Sequence, residues 1–291
     1  MSTICIFHAN CADGFGAAWA VWKALGDHDT AYRSASYGEP IPDLHGFDEV
    51  IMVDFSYKRP ELLEIADKVS RVHIIDHHES AERELVDLPD NVECEFDVGR
   101  SGAVMAWEAF HPGQPVPAIL RFVQDRDLWR WEFEDTRPYT EAIFSYRPWW
   151  FEQWSRWADE GTQSLIQQQL IAEGNALMRQ KRTLVEEAVK ANNITWVQLC
   201  GSTVPCASAI PAITSDTGHR LLNLYPDAPF AAVARIVGKE ARMSLRSDVQ
   251  NGRHNVARVA ERHGGGGHAN AAGFTMPTKQ YLNCIVSDGA V

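Results

Sequence analysis

Three short apolar runs within the first 80 residues each end at an acidic or imidazole side chain and lead into a helix-like pattern. Ile4–Phe7 is followed by His8 and Asp13, Glu49–Val53 by Asp54, and Val72–Ile75 by Asp76-His77-His78. The runs read as strands, and residues 14–24, 61–68 and 102–110 carry helical spacing of apolar side chains. Strands that are apolar on both faces and alternate with helices predict a largely parallel sheet covered on both sides. Ligands of such a sheet bind beyond the carboxyl ends of its strands, which makes the residues just after each run the candidate site. A single aspartate after a strand is commonly a turn or cap residue. Three recurrences, all with metal-ligand chemistry, point instead to one shared centre.

Charge is partitioned along the chain. Within a net charge of −12, basic residues number 18 against 33 acidic ones over residues 1–193, and 9 against 6 over residues 194–291. An acidic first part suits cations, and a mildly basic remainder suits phosphate groups. The balance argues against an extended grip on long duplex nucleic acid, which needs a continuous positive surface. No apolar stretch approaches the roughly 18–20 residues that span a bilayer. Met1–Asn10 also lacks the basic start and apolar region of a secretory leader, so a cytoplasmic protein with no membrane partner is expected. The cysteines at positions 5, 11, 94, 200, 206 and 284 show no CxxC spacing and are expected mostly as small buried apolar residues.

From about Trp150 to Asn192 the composition turns to Gln, Glu, Lys, Arg, Ala and Leu, which predicts one or two long helices. Strand-like runs return at Ile194–Leu199, Phe230–Val237 and Ala241–Leu245. The expected organisation is a metal-binding α/β domain over residues 1–150, a helical connector over 151–193 and a smaller α/β domain over 194–291. Trp129, Trp131, Trp149, Trp150 and Trp154 are expected to pack helices against the sheet in preference to stacking on bases.

His8, Asp13, Asp54, His77 and Asp125 offer three carboxylates and two imidazoles. Oxygen-rich ligation with some imidazole suits Mn2+ or Mg2+, with Fe or Co2+ as further fits. Two such ions about 3.5–4 Å apart can clamp a phosphoryl group and activate water, so metal-assisted phosphoester hydrolysis is the expected chemistry. A second candidate site is "RHGGGGHANAAGF" at 262–274, where Gly264, Gly265, Gly266 and Gly267 let backbone amides approach an anion beside His268, with a helix expected to start just after. Upstream, Arg246 ends the run "MSLRS" at 243–247, where its fork of donors suits a phosphate. "SDTG" at 215–218 is expected as a helix N-cap.

These motifs resemble the DHH phosphoesterase superfamily, whose triplet stands here as Asp76-His77-His78; "SLRS" and "GGGGHANAAGF" resemble its associated C-terminal domain. "FHANCADGFGAAW", "VDFSY", "IDHHES" and "VQDRDLW" are most similar to the branch near nanoRNases and short-oligonucleotide exonucleases. The resemblance implies two α/β domains joined by a long helical connector, with the active site in the cleft between them and two Mn2+ ions, Mg2+ or Co2+ being substitutes. It implies His8 and Asp13 on one ion, Asp54 bridging, and His77 with Asp125 on the other, Asp125 being preferred to Asp127. It further implies that Asp76 orients a ligand and His78 faces the scissile phosphate. Arg246, His268 and Gly264–Gly267 would grip a terminal phosphate or base. Many relatives carry a further aspartate where this chain has Phe15, which implies one ligand fewer. The substrates implied are short single-stranded RNA or DNA, or linear dinucleotides, cut to nucleoside monophosphates. A cyclic dinucleotide phosphodiesterase is the alternative, a catalytically degenerate nucleotide sensor a more distant one, and a homodimer is left open.

Overall fold

The computed structural model describes residues 2–159 and 163–286. The chain divides into two compact units, Met1–Leu177 and Met178–Val291. The first contains β1 (Thr3–His8), α1 (Ala12–Leu25), β2 (Thr30–Ala35), β3 (Glu49–Val53), α2 (Arg59–Ala66), β4 (Arg71–Asp76), α3 (Glu79–Glu84), β5 (Val92–Phe96), α4 (Gly102–Phe110), α5 (Ala118–Asp127), α6 (Thr136–Ser145) and α7 (Phe151–Ala158). The unit boundary then falls within α8 (Gln163–Ala188), so the helix-rich composition after Trp150 resolves into a short helix and a long one.

The strands of this unit form one parallel sheet in the order β2-β1-β3-β4-β5. Both faces are buried, which is why the central strands read as uninterrupted apolar runs. Ile4, Ile6, Val50, Met52, Val72 and Ile74 pack with Leu62 and Ile65 of α2. Cys5, Ile51, Val53 and Ile75 belong to the opposite core with α1, α4 and α5. The strand order reverses direction between β1 and β3, which is the switch point where a parallel sheet opens a crevice at its carboxyl edge. His8 and Asp54 lie at this edge, His8 ending β1 and Asp54 following β3, the two strands that flank the switch.

The second core of this unit is unusually aromatic. Trp19 stacks on Trp107 at 5.5 Å, and Phe15 sits 5.0–5.5 Å from Phe151, Trp154 and Trp149. Of the tryptophans expected to pack helices on the sheet, Trp149 and Trp154 join this core, whereas Trp129 and Trp150 are exposed and Trp131 lies under the Arg137 guanidinium. Phe15 is therefore a packing residue, and its position is occupied by apolar neighbours.

The second unit contains β6 (Ile194–Leu199), β7 (Ser202–Ser208), α9 (Thr214–Leu224), β8 (Ala231–Val237), β9 (Glu240–Arg246), α10 (Val256–Glu261), β10 (Gly266–His268), β11 (Ala271–Pro277), α11 (Thr278–Cys284) and β12 (Ile285–Val286). They build a mixed sheet in the order β10-β11-β9-β8-β7-β6-β12, with β7 and β8 parallel across α9. Two sequence expectations change here. The segment after the glycines forms a hairpin, β10 against β11, where a helix start was expected, because its Gly and Ala side chains let the strands approach closely. In "SDTG", Asp216 sits inside the first turn of α9 and pairs with Lys181 at 2.9 Å, while Ile213 is the N-cap.

Candidate metal centre

The turn after β1 carries His8 into α1, whose first turn presents Asp13. Gly14 makes this approach feasible: a Cβ there would stand 2.4 Å from the His8 carbonyl oxygen. After β3 the backbone at Asp54 turns through a left-handed conformation, φ +53°, which aspartate tolerates better than most residues. Gly102 at the start of α4 permits equally close contact, since a Cβ there would lie 2.5 Å from that of Asp54. The Gly102 and Ala103 amides in turn donate to Asp13 at 2.7 and 3.1 Å. The N-terminus of α4 thus orients one carboxylate of the site.

At the end of β4 the fully buried Asp76 serves as an anchor. It accepts the His77 and His78 amides at 2.8 and 3.3 Å, the His78 Nδ1–H at 2.6 Å and the Ser56 hydroxyl at 3.2 Å. His77 Nε2 lies 3.1 Å from Asp54 Oδ1, 3.5 Å from Asp127 Oδ2 and 3.6 Å from Asp13 Oδ2. His8 Nδ1 is 3.7 Å from Asp54 Oδ2. Asp54 is 1% exposed, and neither of its oxygens receives a hydrogen bond of normal geometry.

The electrostatics follow from this crowding. Burial alone would raise the Asp54 carboxyl, but the imidazoles of His77 and His8 outweigh it and hold it at about 2. Burial opposes protonation of His77, yet its hydrogen-bonding contact with Asp54 and the charges of Asp13, Asp54 and Asp127 carry it up to about 9. Asp13 is pushed well up, by burial first and by Asp54 and Asp127 next. Asp127 moves up as well, from partial burial and then from Asp54. Burial also works against protonation of His78, but Asp76 prevails and raises it. Three carboxylates and an imidazole therefore converge with more negative charge than the protein compensates. Buried carboxylate oxygens that accept no hydrogen bond of normal geometry, set among imidazole and carboxylate groups, fit a divalent cation.

The structure departs from the sequence reading at one ligand. Asp125, preferred to Asp127 on the family resemblance, lies within the helix α5, and its side chain turns to the following loop. It accepts the Glu132 amide at 2.8 Å, the Phe133 amide at 3.3 Å and the Thr136 hydroxyl. Asp127, two residues on, is the carboxylate that reaches His77. Sequence reasoning also passed over Cys11, whose sulfur belongs to a cluster with His8 and Asp54, and the supporting Ser56 and Gly102.

In the second unit Arg246, Ala271 and His268 are directly opposed on adjacent strands, so their side chains share one sheet face. Arg246 bonds Ser215 of α9 at 3.2 Å through Nε, and Gly218 leaves room for its stem. The Gly266-Gly267-His268 strand is exposed.

Residues 3–124 match the model of the DHH family N-terminal domain, and residues 210–287 match that of the DHHA1 domain. The chain belongs to the DHH family. Protein R106 of Acanthamoeba polyphaga mimivirus is 29% identical over 306 residues, covering 94% of this chain and 67% of that protein. Among solved structures, the DHH domain of a protein described as a member of a family of ribosomal proteins superposes with a TM-score of 0.59 at 14% identity, covering 97% of this chain and 85% of that one. RecJ from Thermus thermophilus, solved in complex with Mn2+, gives 0.54 at 16% identity, over 97% of this chain and 50% of RecJ. At these identities the likeness is one of fold. No helix among the described residues is long and apolar enough to cross a membrane.

Proposed function

We propose that this DHH protein is a divalent-metal-dependent phosphodiesterase that cuts short single-stranded oligonucleotides or linear dinucleotides to nucleoside monophosphates. The observation that carries the reading is the Asp54 carboxylate, buried and without a hydrogen bond of normal geometry on either oxygen, between His8 and a His77 that also faces Asp13 and Asp127. His8, Asp13 and Asp54 would hold one ion, and Asp54, His77 and Asp127 a second. The ions would supply Lewis-acid polarisation of a phosphoryl group and an acidified water as nucleophile. The complex of the similarly folded RecJ with Mn2+ makes manganese the first ion to add, with Mg2+ and Co2+ as substitutes.

The chain's own residues then have separate tasks. Asp76 fixes the ring of His78 through Nδ1, which leaves Nε2 as the atom that presents a proton to the substrate. The raised affinity of His78 for that proton keeps it available to a phosphate or leaving oxygen. Arg246 and His268 are suited to a terminal phosphate. The acidic surroundings of the first unit favour a short substrate over a long duplex.

The test is turnover of a 5′-labelled RNA dinucleotide with added Mn2+, run beside Asp54→Ala and beside cyclic dinucleotides. Mononucleotide release by the wild type alone is expected. Opening of cyclic dinucleotides with no cleavage of the linear one would replace this reading by a cyclic dinucleotide phosphodiesterase, and equal turnover by Asp54→Ala would refute the metal centre.

A further inference from the structure

Cys11 stands on the turn between His8 and Asp13, at the N-cap of α1, without a side-chain cap hydrogen bond. Its neighbour in sequence type, Cys5, is part of the apolar core, whereas Cys11 is not. The Cys11 sulfur lies instead in a group with a nitrogen of His8 and an oxygen of Asp54, in which the ligand atoms are all within 4.8 Å of one another. Asp54 supplies a second sign of a missing partner, because its two oxygens are buried and accept no hydrogen bond of normal geometry, with only the His8 and His77 imidazoles beside them. A nitrogen, an oxygen and a sulfur at that spacing form three corners of a coordination site.

We infer that Cys11 Sγ is a ligand of the ion held by His8 and Asp54, making this position a Cys-His-Asp site for a thiophilic divalent cation such as Co2+, Zn2+ or Cd2+. The inference rests on the metal reading above and deepens it. On binding, the thiol proton leaves to solvent and a sulfur–metal bond forms, with no change of oxidation state. Hard ions such as Mg2+ and Mn2+ gain little from a thiolate, whereas softer ions gain much. The site so built discriminates between ions by one donor atom. Position 11 would then set which metal the first site retains, while the His77 side, built from carboxylates and imidazole, stays oxygen-rich.

The experiment is Co2+ titration of the full-length protein followed by absorbance. Co2+ reports ligand type directly: visible d–d bands register binding, and a near-ultraviolet thiolate charge-transfer band registers sulfur. The wild type is expected to show both. Cys11→Ser keeps the d–d bands and loses the charge-transfer band. Cys200→Ser removes the exposed thiol beside His263 and keeps both signals. Cd2+ competition should show the affinity for Cd2+ relative to Mn2+ falling by about tenfold or more in Cys11→Ser. A wild-type spectrum with d–d bands and no charge-transfer band, or a charge-transfer band that survives in Cys11→Ser, overturns the cysteine assignment while leaving the metal centre intact. Absence of any d–d band overturns the metal reading and the cysteine assignment with it.

Discussion

Asp125 and Asp127 lie two residues apart on α5, and the structure gives them opposite tasks, so paired substitutions should separate stability from metal binding. Asp125 holds the loop after α5 by accepting the Glu132 and Phe133 amides and the Thr136 hydroxyl. Asp125→Asn keeps one acceptor oxygen and turns an amide –NH2 towards the other partners. If the oxygen stays on the Glu132 amide, two charge-assisted bonds are lost, one to the buried Thr136 hydroxyl and one to the part-buried Phe133 amide, each worth about 1.5–3 kcal/mol at most, and the Thr136 hydroxyl recovers part of that by turning to accept. The net loss is about 2–5 kcal/mol, which lowers the melting temperature by roughly 5–15 °C in a chain of this size. Metal affinity should stay within about twofold, because no donor atom of the centre is touched. Asp127→Asn reverses the pattern. It removes a partly open carboxylate that repels Asp54, so stability shifts by no more than about 0.5 kcal/mol, while the site loses the carboxylate beside His77. Affinity for Mn2+ should fall about a hundredfold or more, beyond what loss of an outer partner costs. Thermal melts and metal titrations of the two variants check both halves. A loss of metal binding in Asp125→Asn at unchanged Asp127→Asn affinity would refute the reasoning.

Gly102→Ala places a Cβ 2.5 Å from that of Asp54, against backbone that cannot yield, and should cost about 1–3 kcal/mol in a melt while weakening metal binding through displacement of Asp54. Phe15→Asp should add no ligand: it puts a carboxylate among Trp149, Phe151 and Trp154, lowering stability by several kcal/mol with unchanged metal stoichiometry in a titration. Because His77 holds its proton to about pH 9 in the ion-free protein, Mn2+ binding at pH 7 should release at least the His77 proton, read as a calorimetric heat that varies with buffer ionisation enthalpy; a buffer-independent heat would count against His77 as a ligand. The sign for ion-free stability is opposite: the His77 contribution is full below its ordinary value of 6.5 and is lost as pH rises through about 9, so the ion-free melt should weaken over that window.

The central strands and the positions of His8, Asp54 and Asp76 were legible because a parallel strand buried on both faces leaves an apolar run whose end is visible. The edge strands β2 and β5 were not, although Val-Glu-Cys-Glu-Phe alternates as a half-buried strand does. Their polar side chains face solvent, and apolar runs alone do not mark such strands. Asp125 was preferred because "QDRD" resembles a segment of the family, whereas here both aspartates lie in the last turn of a helix. The choice between Asp125 and Asp127 depends on which way a helix end faces, and that is set by the loop hydrogen bonds at 132–136, far outside the motif. Cys11 was read as packing because composition counts a cysteine as apolar, whereas its neighbours in space, His8 and Asp54, come from different strands.

The centre also explains why the surrounding structure is so tightly built. Asp13, Asp54 and Asp127 repel one another around His77, and burial raises the cost of each charge. Left to itself such a cluster would spread apart or draw in water. It is prevented from doing so by contacts outside the charges: Gly14 and Gly102 bring backbone to within a Cβ's width of His8 and Asp54, the α4 amides pin Asp13, and Asp76 pins both histidines. The repulsion that these contacts resist is what a divalent cation would relieve, so binding an ion and relaxing the fold draw on the same free energy. Ion affinity in this chain should therefore depend on Gly102 and Asp76, which need not touch an ion, nearly as much as on the carboxylates that would.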